Sequence, residues 1–121
     1  MAVYYKDLIA WQKAMDLVAA VYDVTESFPR REMYSLCDQI RRAAVSVPSN
    51  IAEGQAHYHT REFLHYLRIA RGSLAELETQ LLIAQRQKYV DEESLKPVLD
   101  LRDEVSRIMS GLISSVSKSI A

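Results

Sequence analysis

Seven apolar positions in one stretch, Phe63, Leu67, Ala70, Leu74, Leu77, Leu81 and Ala84, follow one another at alternating spacings of four and three. Side chains three and four apart share a helix face, so this pattern dictates an α-helix with one buried stripe. Read from Thr60 to Tyr89, the segment is about 45 Å long at 1.5 Å per residue. A helix of that length cannot cover its apolar stripe alone and requires partners of similar length.

Three further segments supply them. The first helix reads as about 7–27, capped by Asp7, with Leu8, Trp11, Met15, Val18, Tyr22 and Thr25 as its stripe and Phe28-Pro29 ending it. The second reads as about 31–54, with Met33, Leu36, Ile40, Ala43, Ala44, Val47 and Ile51 inward, Pro48 as an internal kink and Gly54 as its stop. The small residues Ala43, Ala44, Ser46 and Ser49 allow a neighbouring helix to approach closely. The third occupies about 60–89, capped by Thr60. The fourth, about 91–119, opens on the acids Asp91, Glu92 and Glu93 and carries Leu95, Val98, Leu101, Val105, Ile108 and Leu112. Long helices joined by short connections specify an all-α, antiparallel up-down-up-down four-helix bundle, with residues 1–121 as one domain.

Composition agrees with that reading. The 121 residues are 49% hydrophobic and 26% charged, and there are only three glycines and three prolines, which suits helices and excludes a disordered chain. The formal net charge of −1 lacks the basic excess of a dedicated nucleic-acid binder. Cys37 is the single cysteine, which rules out an intrachain disulfide and reads as a small buried hydrophobe. Met1 to Asp7 shows no signal-peptide pattern, and no apolar run approaches the ~20 residues of a membrane span. A cytoplasmic location away from membranes is expected.

Several apolar residues fall off the core stripes. Ile69 and Ile83 lie on one line of the third helix together with Glu76, and Val45 points opposite Ile40 and Val47. Met109, Ile113, Val116 and Ile120 form a second line beside the stripe of the fourth helix. Ordered apolar lines of this kind mark subunit contacts. These seven residues are the expected oligomer interface.

Catalytic signals are absent. Glu62-Phe63-Leu64-His65 matches the Glu-x-x-His half of a bundle di-metal site once, and no second copy follows. His57, His59 and His65 lie close in sequence without a placed fourth ligand. No phosphate-cradling glycine loop or nucleophile elbow occurs. Neither a cofactor nor a metal is assigned, and no enzyme activity is expected. Among the basic residues, Arg41 and Arg42 on the second helix and Arg61 and Arg68 on the third read as outward-facing, and together they are the candidate phosphate contacts. Glu78, near the flank of the core, is placed to pair with a basic residue or to cap a polar network.

Specific stretches resemble a known family. Phe28-Pro29, Glu32-Met33-Tyr34-Ser35-Leu36, the run from Gln39 to Gly54, Glu62-Phe63 and the run from Ile69 to Leu81 are similar to the four-helix-bundle family named for a 23S ribosomal RNA intervening sequence. A related bundle is the accessory variability protein of diversity-generating retroelements. The resemblance covers roughly residues 5–90. It implies a four-helix protomer, assembly into a homopentamer and association with nucleic acid or a ribonucleoprotein, and it carries no catalytic residues. Where the family commonly has a basic loop, this chain has Gln55-Ala56-His57-Tyr58-His59, and Ser35 replaces a frequent glycine. The expected function is a non-enzymatic homo-oligomeric scaffold with RNA or DNA as partner. A protein-interaction scaffold and a metal-binding bundle are the alternatives.

Overall fold

A computed structural model describes residues 4–57 and 59–120. Helix α1 spans Ile9–Thr25, α2 Leu36–Ala56, α3 Thr60–Arg86 and α4 Glu92–Lys118, and no strand occurs among the described residues. Short 3-10 turns at Tyr5–Asp7 and Arg30–Glu32 precede α1 and α2. Among the described residues α1 packs on α2 and α4, and α3 packs on α2 and α4, with no packing across the diagonals. This is the up-down-up-down arrangement expected from the periodicity.

The core of α3 is nearly the predicted one. Leu67, Ala70, Leu74, Leu77, Leu81 and Ala84 are buried, Phe63 is half-buried, and Leu64 joins the core. In α1 the buried line is instead Ala10, Ala14, Leu17, Val21 and Thr25. Met15 and Tyr22 are exposed, while Trp11 and Val18 pack on the core's edge. The buried line keeps helical spacing but runs one position before the larger residues, which places Trp11, Met15, Val18 and Tyr22 on the flank.

In α4 the buried line runs through Leu95, Val98, Val105, Met109 and Ile113, with Leu101, Ile108 and Leu112 half-buried beside it. Met109 and Ile113 therefore belong to the protomer core and not to a subunit contact. A helix of 3.6 residues per turn drifts about 20° per heptad against a strict 3.5 repeat, which carries the buried line from position 108 to 109. Val116 and Ile120 are half-buried and packed against the same core.

Gly54 does not stop α2, which continues to Ala56. A Cβ there would stand 2.6 Å from Tyr66 Cβ and 3.2 Å from Phe63 Cδ1, so the glycine permits the close approach of α2 and α3 at this level. Pro48 is buried within a continuous helix. Near it Asn50 Nδ2 donates to the Ser46 carbonyl (2.7 Å) and to Ser46 Oγ (2.8 Å), and Ser46 Oγ meets Ser73 Oγ of α3 at 2.8 Å. A polar seam thus fixes the α2–α3 register, with Ser46 level with Ser73 and Gly54 level with Tyr66.

The helix ends are set locally. Neither Asp7 nor Thr60 acts as a cap: the N-cap positions of α1 and α3 are Leu8 and His59, without side-chain bonds. Asp91 does cap α4, accepting from the Ser94 N–H at 2.7 Å. The end of α3 is a Schellman turn: Tyr89 N donates to Ala84 O (3.0 Å) and Lys88 N to Gln85 O (2.9 Å). Lys88 occupies the left-handed position with φ 65°. Tyr89 Oη then donates to Glu32 Oε2 at 2.8 Å, its ring lies 5.9 Å from that of Phe28, and Arg31 sits over it at 5.7 Å. The α3–α4 corner is thereby tied to the α1–α2 corner.

Candidate interaction surfaces

The four candidate arginines do not converge. Arg41 turns toward α1, where Nε donates to Thr25 Oγ1 at 2.9 Å and the guanidinium lies 4.6 Å from the Tyr22 ring centroid. Thr25 is buried and returns its own hydroxyl hydrogen to the Val21 carbonyl at 2.7 Å. Arg41 is a strut between α1 and α2. Arg42 is exposed and paired with Asp38 one turn earlier at 2.9 Å. Arg61 and Arg68 are exposed on α3 with no ion-pair partner among the described residues. From the Ser46–Ser73 register, Arg42 is level with position 77 and so lies about 24 Å along the axis from Arg61.

The apolar candidates also divide. Val45, Ile69 and Ile83 are exposed, whereas Met109 and Ile113 are buried at 0% and 7% exposure. The exposed apolar surface is richest elsewhere, on the α1–α2 face. A groove of about 370 Å³ is lined by Trp11, Met15, Val18, Val45, Pro48 and Ala52, among others. It adjoins a second, mixed depression lined by Tyr22, Met33, Tyr34, Asp38, Arg41, Arg42 and Ser46, and Val45 borders both. Met15 is 44% exposed and Tyr22 42%. The signal for this face was present in the sequence: α1 carries more large apolar residues than one stripe can bury.

One charged residue lies on the buried line of α4. Arg102 has a side chain only 13% exposed. Its Nε donates to the Leu74 carbonyl at 3.1 Å, and Nη1 lies 3.4 Å from Glu78 Oε2 and 2.8 Å from Asp103 Oδ1. Of the two roles open to Glu78, the structure shows the pairing with a basic residue. The arrangement also fixes the antiparallel register of α3 and α4.

The histidines sit at the α2–α3 connection. His57 Nδ1 lies 2.9 Å from Glu62 Oε2, and its ring stacks on Tyr66 at 5.3 Å with a 9° interplanar angle. His65 meets the same tyrosine edge-on at 5.4 Å. His59 is exposed at the start of α3, and Tyr58 lies outside the described residues. No group of three potential His, Cys, Asp or Glu ligands converges among the described residues. None of the described helices is long and apolar enough to cross a membrane.

No curated protein matches the chain. A crystal structure of a protein of unknown function from the S23 ribosomal protein family of Bacteroides thetaiotaomicron VPI-5482 superposes with a TM-score of 0.81. It is 20% identical, and the match covers 90% of this chain and 98% of that one, so the likeness establishes the fold. The family model for the 23S rRNA-intervening sequence protein matches residues 6–111. The described helices fall almost wholly within that span, and the chain belongs to the 23S rRNA-intervening sequence protein family.

Proposed function

We propose that the chain is a non-enzymatic scaffold that self-associates through the apolar face of α1 and α2. The pentamer implied by the family resemblance is the expected order of assembly. In this reading the assembled bundle associates with nucleic acid or a ribonucleoprotein in a cytoplasmic setting. A lone cysteine without a disulfide suits a reducing compartment.

The carrying observation is the continuous strip of Trp11, Met15, Val18, Tyr22 and Val45, extended by Met33 and Tyr34. Methionine and aromatic side chains are the residues enriched at protein interfaces, and a contiguous apolar patch marks a docking surface. Light scattering should return a multiple of the 13.8 kDa chain mass. The pair Met15→Glu and Val45→Glu should reduce it to the single-chain mass with helical circular dichroism retained. A monomeric wild-type protein would sink the reading and leave the strip to a foreign protein, the second alternative. The metal-binding alternative lacks a convergent set of three His, Cys, Asp or Glu ligands among the described residues.

A further inference from the structure

Charge is unevenly distributed along the bundle. Segments 60–75 and 105–120 together hold five basic residues, Arg61, Arg68, Arg71, Arg107 and Lys118, and one acid, Glu62. The rest of the chain holds ten basic and fifteen acidic residues. All five basic side chains belong to exposed residues, and none has an ion-pair partner among the described residues. Glu62 faces His57 instead.

The fold brings the two segments side by side. Arg102 reaches Leu74 and Glu78, so position 102 lies level with about position 76. Counting along antiparallel helices, Arg107 falls level with Arg71 and Lys118 with the start of α3. Arg71 stands two turns before Glu78 on the side of α3 that meets α4, and Arg107 stands one turn after Asp103. The outer seam between these half-helices is about 20 Å long.

Two glycines interrupt the outward faces of the same half-helices. Gly72 and Gly111 are exposed in helix interiors, and a Cβ on either would meet nothing within 4 Å. Neither is required by packing, and each weakens its helix relative to alanine. Around them stand Ala75, Ser110 and Ser114, also exposed. Bare backbone flanked by cations permits close approach of an anionic chain. A protein partner would instead need apolar anchors at the centre of the surface, and this seam has none.

We propose that the α3–α4 outer seam binds the phosphate backbone of a nucleic-acid strand. Arg61, Arg68, Arg71, Arg107 and Lys118 neutralise phosphates, and Gly72 and Gly111 let the strand lie against the helices. The seam spans about six phosphates of one duplex strand. Charge and hydrogen bonding to phosphate oxygens give no base readout, so binding is sequence-tolerant. The site deepens the scaffold reading by giving its nucleic-acid partner a place, and it acts on each protomer whether or not the protomers assemble.

The test is fluorescence anisotropy of the full chain with a short single-stranded RNA, and with a DNA duplex of the same sequence, across a salt series. Salt-sensitive binding to either probe is expected, and the stronger probe identifies the strand type. The pair Arg68→Gln and Arg107→Gln should weaken binding at least about tenfold at low salt and flatten the slope of log K against log salt by about 1.5. Gly72→Gln and Gly111→Gln keep the charge, should raise the melting temperature, and should still weaken binding. Absence of salt-sensitive binding overturns the proposal. So does binding that the arginine pair leaves unchanged, or tighter binding of polyglutamate than of both nucleic acids, which would assign the seam to an acidic protein. Light scattering of the same variants should give the wild-type mass, so a failure of assembly and a failure of binding are read separately.

Discussion

At the scale of single residues, the side chains that matter most break a local rule. Lys88 holds a left-handed conformation normally left to glycine, because the Schellman turn that ends α3 demands it. Lys88→Gly should stabilise the protein by about 0.5–1 kcal/mol, the relief of Cβ strain offset in part by the freer unfolded chain; urea denaturation measures it. Arg102 places a cation on the buried line of α4, where the Leu74 carbonyl and two carboxylates receive it. Glu32 accepts from Ser35 Oγ at 2.6 Å and from Tyr89 Oη at 2.8 Å. The Ser35 hydroxyl first, then that of Tyr89, holds its carboxyl below the usual carboxylate range. A depressed folded-state pKa adds stability above the unfolded value of about 4.3, which is lost as pH falls through the folded value. Asp91 behaves likewise through the Ser94 N–H. Glu32→Gln should therefore lower stability at neutral pH and shrink the difference between neutral and strongly acidic solution, measured by denaturation at each pH.

At the scale of elements, α2 and α3 form the most extensively packed pair, and Gly54 permits their close approach at one end. Gly54→Ala should cost about 1–3 kcal/mol, because the added methyl meets Tyr66 and Phe63; thermal unfolding checks it. The sequence showed a glycine near a helix end, and a cap was the natural reading; its contact with α3 depends on a register that no local pattern contains. The stripe of α3 was legible because its four-three repeat is unbroken over seven positions, although Ile69, Leu82 and Ile83 stand off it. That of α1 was not, because apolar residues cover most of its circumference and periodicity cannot choose among Ala14, Met15 and Val18. The two apolar lines of α4 were visible, but not that both serve one core. A charged residue at Ile113, which the interface reading would have expected only to dissociate subunits, should instead unfold the protomer, since that side chain is 7% exposed.

At the scale of the whole molecule, the bundle presents unlike faces. The α1–α2 side carries the apolar strip and the α3–α4 side a basic seam at one end. The net charge of −1 concealed this division, since averaging over the chain cancels fields that the fold keeps apart. Arg61 and Arg68 were legible as exposed cations. Their neighbours Arg107 and Lys118 were not, because the proximity of α4 to α3 is a tertiary fact; the signal available was the lack of any acid after Glu104. Dilution of the protein followed by light scattering should show mass falling at low concentration, and the midpoint should move to higher concentration for Met15→Glu alone.

The bond from Tyr89 to Glu32 joins residues 57 positions apart, whereas most other contacts link helices adjacent in sequence. Each hairpin can form from near neighbours, and chains dominated by local contacts fold quickly. The latch closes only after both corners exist, so it should be missing from the rate-limiting barrier. Tyr89→Phe should then speed unfolding and leave the refolding rate unchanged, making this tyrosine a determinant of how long the bundle stays shut rather than how fast it forms.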